Sequence, residues 1–367
     1  MKQIKVGVIG CGVISDIYLK NLTTRFSTLK VVACADAFAE KSRERAQQYG
    51  IAAVSVDDLL ADSQIDVILN LTNPQFHAEI SLAAIKNGKH VYSEKPLATN
   101  PVDAQRIMDA AAEKNLRVGC APDTFLGAGL QTACKAVADG WIGRPLAAVA
   151  FVSSRGHERW HSNPGFYYQE GGGPHLDMGP YYITALTAAL GRVKRVNAMS
   201  GRGFDTRIVG TGPLKGERIP VNVDTHIGAT LEFDCGVIAT VMMSFDIWAT
   251  SLPFLEIYGT SGTLTLPDPN TFDGPVRLKS MNEQAFEPLP LLYPFTGNLR
   301  GLGLAQMCHA ILHGEEHCAN GAIAQHVLEV LDAMEHAAKS GETVECHTPG
   351  AVPPMLTPGL MEVEYGF

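Results

Sequence analysis

Apolar residues follow two different patterns along this chain, and the change between them falls near residue 122. Up to that point, short runs rich in β-branched residues alternate with longer amphipathic segments. The runs predict buried strands and the segments predict helices. The strands are predicted at residues 4–9, 30–35, 66–71, 89–91 and 117–121. Alternation of this kind predicts an α/β fold with a parallel, doubly wound sheet.

After residue 122 the predicted strands and helices are segregated, which is typical of an α+β domain. Apolar runs punctuated by glycine predict a mostly antiparallel sheet from residues 146–153, 225–233, 237–245, 254–258 and 263–266. Helices are predicted at residues 130–139, 303–312 and 322–339, and another is opened by the stretch 171–182 and continues through residue 190. The chain is therefore divided into domains 1–122 and 123–367, and the tail at 348–367, rich in proline and glycine, is expected to lie over the surface.

Composition excludes several classes of partner. The 367 residues are 46% hydrophobic and 18% charged, with a formal net charge of −9 and no long basic run, which argues against nucleic acid. No apolar stretch is long enough to cross a bilayer, and the start of the chain lacks signal-peptide architecture, so a cytoplasmic protein is expected. Eight cysteines without a Cys-x-x-Cys pair favour reduced thiols over disulfides.

The first predicted strand leads directly into Gly10-Cys11-Gly12-Val13-Ile14-Ser15, and a helical pattern follows. This is a G-x-G-x-x-S motif between a strand and a helix. Glycines here permit a tight turn and a close approach of backbone N–H groups to a pyrophosphate at a helix N-terminus. The motif predicts a dinucleotide site at Gly10, Gly12, Val13 and Ile14.

Asp36 ends the second predicted strand, 21 residues after Ser15, near the spacing expected for a ligand of the ribose hydroxyls. A carboxylate at this point repels a 2′-phosphate, so NAD is predicted in preference to NADP. Three cations follow closely, Lys41, Arg43 and Arg45, and keep NADP possible. Alternatively, these cations form the solvated face of the next helix.

Two further strands end in polar residues, which open α/β sheets direct into the ligand crevice. Thr72, Asn73 and Pro74 follow one strand, and His77 either contacts the nicotinamide or simply begins the next helix. Glu94-Lys95-Pro96 follows the other strand. Proline stiffens that turn, so Lys95 is a candidate for a cation that meets a substrate hydroxyl, although a surface lysine is the alternative.

A second polar cluster begins with Gly171-Gly172-Gly173 and opens a helix. Asp177 and Tyr181 are four residues apart on one face of that helix, where an acid and a phenol can hold a hydroxyl-bearing carbon and move its proton. The alternative is a capping aspartate with buried tyrosines. His175 is a rival proton carrier. Aromatic and imidazole side chains in the preceding loop suit sugar faces and hydroxyls, or else pack internally: His157, Trp160, His161 and Tyr167.

Nearly the whole chain resembles the Gfo/Idh/MocA oxidoreductases, which include glucose–fructose oxidoreductase, inositol dehydrogenase and dihydrodiol dehydrogenases. The resemblance is carried by Gly10-Cys11-Gly12, Thr72-Asn73-Pro74 with His77, Glu94-Lys95-Pro96, and Gly171-Gly172-Gly173 leading into Asp177-Met178-Gly179. It implies an N-terminal Rossmann domain and a C-terminal α+β domain for substrate binding and oligomerisation. The large sheet of the second domain would be open-faced, in a homodimer or homotetramer.

The resemblance also implies hydride transfer between a nicotinamide and a carbohydrate hydroxyl or ketone. Many members carry histidine four residues after the aspartate, where this chain has Tyr181, as the glucose–fructose oxidoreductases do. We therefore expect Tyr181 to carry the proton, Lys95 to stabilise the developing charge and Asp177 to orient the hydroxyl. Two rival functions stay open: a redox-neutral sugar lyase or hydrolase with retained NAD, and a non-catalytic nicotinamide-binding regulator.

No metal is predicted. His309, His313 and His317 recur every four residues, but Gly314 is expected to end the helix before His317. Cys308 and Cys318 lie beside them, but no carboxylate or thiol at ligand spacing completes a tetrahedral set.

Overall fold

The amino-terminal part of the chain folds into a six-stranded, entirely parallel sheet in a computed structural model that describes residues 3–350, 353, 354 and 356. The strands are β1 Ile4–Ile9, β2 Leu29–Ala35, β3 Ala52–Ala53, β4 Val67–Asn70, β5 His90–Ser93 and β6 Val118–Cys120. Their order in the sheet is β3-β2-β1-β4-β5-β6. Order reverses between β1 and β4, which opens a crevice at their carboxyl ends.

Five helices connect these strands and cover the sheet. They are α1 Ser15–Thr24, α2 Ala39–Tyr49, α3 Val56–Ala61, α4 His77–Lys86 and α5 Pro101–Glu113. Every residue of β4 is buried, as expected for a parallel strand covered by helices on both faces. The predicted doubly wound parallel sheet is confirmed.

The second sheet has nine strands among the described residues. They are β7 Pro145–Ser153, β8 Val193–Gly201, β11 His226–Phe233, β12 Ile238–Ser244, β13 Leu255–Gly259, β14 Gly262–Leu266, β15 Arg277–Ser280, β16 Glu287–Pro288 and β17 Val344–Glu345. Their order in the sheet is β16-β15-β14-β13-β7-β12-β11-β8-β17. Only β7 and β12 pair in parallel, so the sheet is mixed and mostly antiparallel, as predicted. A separate hairpin joins β9 Thr206–Ile208 to β10 Arg218–Pro220.

One face of this sheet is buried and the other is exposed. The helices of this part are α6 Ala128–Ala138, α7 Pro174–Leu190, α8 Leu302–His313 and α9 Gly321–Ser340. Helices α7 and α9 pack against the sheet, and side chains on the opposite face, such as Met199 and Ile238, are 80% and 53% exposed. This alternation of buried and exposed positions is that of an open-faced sheet.

The two parts of the chain are closely connected. Helix α9 contacts α5 and β6, and the Cys120 N–H donates to the Ala319 carbonyl at 3.0 Å. The Asn21 side-chain amide of α1 donates to the carbonyls of Asn298 and Arg300, each at 2.9 Å. A domain boundary at residue 122 stays a prediction, because helices from the second part complete the packing of the first.

Within residues 3–350, 353, 354 and 356, no helix is long and apolar enough to cross a membrane. All eight cysteines are free, and seven are buried, as the absence of paired motifs predicted. Most of the predicted surface tail lies outside the described residues.

Candidate active site

The turn after β1 is shaped for close approach to a ligand. Gly10 has φ +101°, and a Cβ there would lie 2.5 Å from the carbonyl carbon and oxygen of Leu71. A Cβ on Gly12 would meet nothing within 4 Å, so the space beyond it is open. Ile14 directly precedes α1, and Val13 is 92% exposed. The turn therefore presents bare backbone at a helix N-terminus, which fits a pyrophosphate.

Asp36 is fixed next to this turn. One carboxylate oxygen accepts the Cys11 N–H and the other accepts the Phe38 N–H, both at 2.8 Å. Asp36 lines a cavity of about 310 Å³ together with Gly10, Gly12, Lys41, Thr72 and Asn73. A carboxylate oxygen accepts more than one hydrogen bond, so capacity for ribose hydroxyls remains. The residues fit a nicotinamide dinucleotide.

The cations after Asp36 lie in different places. Lys41 lines the cavity, and its ammonium lies 4.9 Å from the centre of the Phe38 ring. Arg45 turns towards α1, where it pairs with Asp16 at 3.1 Å and donates to Ser15 at 3.2 Å. Among these cations, only Lys41 is placed to meet a 2′-phosphate.

His77 begins α4, and its ring is fully buried. Its nitrogens lie 2.6 Å from the Pro96 carbonyl and 2.9 Å from the Thr72 carbonyl. Burial lowers the pKa of this imidazole. His77 thus joins the two loops that follow β4 and β5 and begins α4, as the second interpretation expected, while a contact with nicotinamide stays a prediction.

Glu94 and Lys95 occupy the end of β5. One oxygen of Glu94 accepts the Tyr18 hydroxyl at 2.8 Å, and the other accepts the Lys95 N–H at 2.9 Å. The Lys95 ammonium donates to the Asp177 carbonyl at 2.6 Å and to Asp177 Oδ1 at 3.0 Å. The lysine is therefore a partly buried cation directed at α7, rather than a surface residue.

His157 completes this group from a single 3-10 turn, His157–Arg159. Its Nε2 lies 2.7 Å from Asp177 Oδ2, so both oxygens of Asp177 are engaged. Burial alone would raise the pKa of Asp177, but Lys95 and His157 outweigh it and hold the pKa well below its usual value. Burial alone would lower the pKa of Lys95, yet Asp177 raises it above the usual value. The pair is charged at neutral pH.

Tyr181 lies one helical turn beyond Asp177, with the Lys95 ammonium 5.2 Å from its ring centre. The second cation that acts on this phenol is Arg300, whose guanidinium donates to Asn270 Oδ1 at 2.6 Å and to Asn298 Oδ1 at 2.9 Å. Burial raises the pKa of Tyr181, and both cations oppose that rise. We call this group of five side chains the Asp177 cluster: Lys95, Asp177, His157, Tyr181 and Arg300.

One of the predicted substrate residues, Tyr167, lines the cleft beside the cluster. Tyr167 lines it with Lys95, Pro96, Asp177 and Pro74. Gly172 also lines it, where a Cβ would lie 2.6 Å from the carbonyls of Phe166 and Tyr167.

Two more predicted substrate residues flank the cleft. Trp160 is 62% exposed and lies 5.2 Å from the His157 ring, while the His161 ring contacts the edge of Tyr167 at 5.5 Å. This side of the cleft is aromatic and suits stacking on a sugar face.

His175 lies away from the Lys95 ammonium, so its role as a rival proton carrier stays a prediction that this position does not favour. It lines a different cavity, together with Asp224, Glu335 and Lys339, and its Nε2 lies 3.7 Å from Glu335 Oε2. Residues two apart on a helix point to different sides, so His175 faces α9 whereas Asp177 faces Lys95.

Comparison with known proteins agrees with this geometry. Residues 4–121 match the Gfo/Idh/MocA profile described as "Oxidoreductase family, NAD-binding Rossmann fold", and residues 130–265 match the Gfo/Idh/MocA C-terminal domain. The chain belongs to the Gfo/Idh/MocA oxidoreductases. The family resemblance inferred from the sequence is therefore confirmed, with an NAD-binding Rossmann domain at the amino end.

Relatives within this family act on sugars and polyols. The 1,5-anhydro-D-fructose reductase of Ensifer adhaerens is 29% identical over 329 residues, which cover 87% of this chain and 92% of the relative. The inositol 2-dehydrogenase of Salmonella typhimurium is 30% identical over 118 residues, 31% of this chain and 35% of that protein. The structure of levoglucosan dehydrogenase in complex with NADH has a TM-score of 0.81 at 22% identity, covering 95% and 100% of the two chains, and shows the shared fold.

Two parts of the Asp177 cluster in this Gfo/Idh/MocA protein were missed in the sequence. Arg300 follows Asn298 in an irregular segment with no recognisable motif. The pairing of His157 with Asp177 joins positions 20 residues apart, and the aromatic loop indicated only a general substrate role. The only indication in the sequence of a residue such as Arg300 was that Tyr181, as a buried phenol that carries a proton, needs a cation nearby.

Proposed function

We propose that this protein is an NAD-dependent dehydrogenase or reductase that transfers hydride between nicotinamide and a hydroxyl-bearing carbon of a sugar or polyol. The observation that supports the proposal is the Asp177 cluster: Lys95 and Asp177 line one cleft, their side chains lie 3.0 Å apart, and the Lys95 ammonium lies 5.2 Å from the centre of the Tyr181 ring. The sugar relatives support the substrate class.

The chemistry at the substrate oxygen follows from the hydrogen-bond inventory of Lys95. An ammonium has three N–H donors, and two of them reach Asp177, which leaves one for the substrate oxygen. Asp177 and His157 hold the lysine in place. A bound nicotinamide supplies or accepts the hydride. Tyr181 moves the accompanying proton: its phenol donates to the oxygen of a ketone during reduction, and its phenolate accepts the hydroxyl proton during oxidation.

The pKa of Tyr181 sets how the rate in each direction depends on pH. Because burial raises it, the phenol is protonated at neutral pH and is ready to donate. The rate of ketone reduction should therefore be maintained at neutral pH, and the rate of alcohol oxidation should increase as the pH rises towards the pKa of Tyr181.

Cofactor preference and assembly complete the proposal. Asp36 supports NAD, while Lys41 in the same cavity keeps NADP a weaker alternative. The exposed face of the nine-stranded sheet supports a homodimer or homotetramer. Eight free thiols support a cytoplasmic location.

The test is the rate of nicotinamide absorbance change, in both directions, with NAD(H) and NADP(H) against sugars, inositols, sugar acids and their keto forms. Turnover with one class, faster with NAD(H), supports the proposal. Protein that binds NADH yet shows no turnover across the panel contradicts it, and redirects the assignment to a redox-neutral enzyme with retained NAD or to a regulator.

A further inference from the structure

A cavity of about 490 Å³ lies against the loop that carries His157, but it shares no lining residue with the cleft of Lys95 and Asp177. Three arginines line it, Arg155, Arg159 and Arg207, together with the rings of Phe204 and Trp248. Neither the family fold nor the proposed reaction assigns a role to this group.

The arginines and rings form a stack, called here the arginine ladder. The guanidinium of Arg159 lies 5.1 Å from the centre of the Trp248 ring, and that of Arg155 lies 4.3 Å from the same ring. Arg155 is also 4.6 Å from the Phe204 ring, as is Arg207. Cation–π contacts of this kind hold guanidinium groups in place without neutralising them.

Charge in the ladder is only partly compensated. Arg207 is 3% exposed and pairs with Glu158 at 3.2 Å and with Asp246. In the part of the chain that the structure describes, Arg155 and Arg159 have no carboxylate at ion-pair distance. Nε and Nη1 of Arg155 are buried and lack an acceptor among those residues. A buried donor without an acceptor is costly, so an added acceptor would stabilise it.

The positions of these donors are fixed by the β9–β10 hairpin. The Gly210 N–H donates to the Glu158 carbonyl at 2.7 Å, and Arg207 donates to the Arg155 carbonyl at 3.3 Å. The hairpin therefore clamps the segment that carries Arg155 and Arg159. Preorganised guanidinium forks match the oxygens of carboxylates and phosphates.

We propose that the arginine ladder binds a small oxyanion, a carboxylate or a phosphate, whose oxygens accept hydrogen bonds from Arg155 and Arg159. The site is separate from the nucleotide cavity and from the cleft beside Asp177. Trp248, which is 70% exposed, provides an optical reporter at the site.

The experiment is a titration of NADH-saturated protein with inorganic phosphate and with benzoate, each against chloride at the same ionic strength. Calorimetry and tryptophan fluorescence are the readouts. We expect saturable binding of at least one probe, and the tighter probe identifies the oxyanion. Arg155→Met and Arg159→Met should each weaken binding by about tenfold or more, because a charge-assisted hydrogen bond is lost. Arg277→Met, an exposed arginine on β15, should leave it unchanged.

Two results would overturn the proposal: no saturable binding of either probe to the native chain, or equal binding to the native chain, Arg155→Met and Arg159→Met. Thermal unfolding midpoints and NADH affinities of the variants show whether a loss of binding reflects misfolding. Because the probes are not substrates of the proposed reaction, the result does not depend on whether the protein oxidises sugars.

Discussion

The turn at residues 10–15 offers a ligand bare backbone, whereas the Asp177 cluster offers charged side chains that already bind one another. In the turn, Gly10 excludes any Cβ and Gly12 faces open space. In the cluster, Lys95, Asp177 and His157 are joined to one another at 2.6–3.0 Å. Binding at the turn depends on the shape of the backbone, and chemistry at the cluster depends on charge. Mutations in the turn should therefore affect cofactor binding, and mutations in the cluster should affect turnover.

The largest separation is expected from Lys95→Met. The variant loses the donor that meets the substrate oxygen and leaves Asp177 with His157 alone, so turnover should fall by roughly 10³-fold, as for the loss of other electrostatic groups at a reacting oxygen. NADH affinity should change little. Steady-state kinetics and NADH calorimetry measure both quantities, and Lys135→Met, which removes an exposed pair with Asp139, is the control. A parallel loss of NADH affinity would contradict the separation.

The complementary test substitutes the glycines of the turn at residues 10–15, where NADH affinity should change. Gly10→Ala places a Cβ against Leu71 and should lower both the thermal unfolding midpoint and NADH affinity. Gly12→Ala meets no neighbouring atom, so it should weaken NADH by about tenfold or more, equal to at least about 1.4 kcal/mol, with an unchanged midpoint. Unchanged NADH affinity in Gly12→Ala would show that the ligand does not approach this backbone.

A smaller loss of turnover than in Lys95→Met is expected from His157→Ala, which leaves Asp177 Oδ2 without its partner. Hydrogen bonds to charged groups contribute about 1.5–3 kcal/mol, so turnover should fall by roughly 10- to 150-fold. Since His157 acts by holding Asp177 and Lys95, the loss should appear in kcat more than in NADH affinity. Rescue by His157→Asn, which can donate to the same oxygen, would support this positioning role. Full activity of the alanine variant would exclude it.

Arg300→Met should have the smallest effect on turnover at neutral pH and the clearest effect on how turnover depends on pH. Arg300 opposes the rise in the pKa of Tyr181, so its removal raises that pKa further. Alcohol oxidation needs the phenolate, and its alkaline rise should move to higher pH. Ketone reduction needs the phenol, and its alkaline decline should move in the same direction. Arg25→Met, an exposed arginine, is the matched control. Identical profiles for Arg300→Met and the native chain would remove Arg300 from the cluster.

The two regions also differ in how far the sequence predicts them. Gly10, Gly12 and Asp36 belong to a local pattern of strand, turn and helix, and the structure places them in one cavity. Lys95 and Asp177 could be recognised from their turns, but the partners that fix them come from distant segments. Arg300 reaches Tyr181 from 119 residues away in sequence, which no local pattern encodes.

Some details depend on side-chain direction, which spacing alone does not give. His77 begins the helix after β4, but its ring points into the protein, between two carbonyls. His175 precedes Asp177 by two residues and faces another cavity. Two polar strands were also missed: the nine-residue β8 has few apolar residues, and the buried residue of the short β9 is Arg207 rather than an apolar side chain.

The most direct test of the account is the turnover of Tyr181→Phe with the best substrate of the panel, measured together with its NADH affinity. Removing one hydroxyl from a buried ring preserves its packing and deletes the proton carrier. The account predicts a fall in turnover of about 10²–10⁴-fold, the usual contribution of general acid–base catalysis, with NADH affinity unchanged. Turnover equal to that of the native chain would contradict the assignment of Tyr181 as the proton carrier.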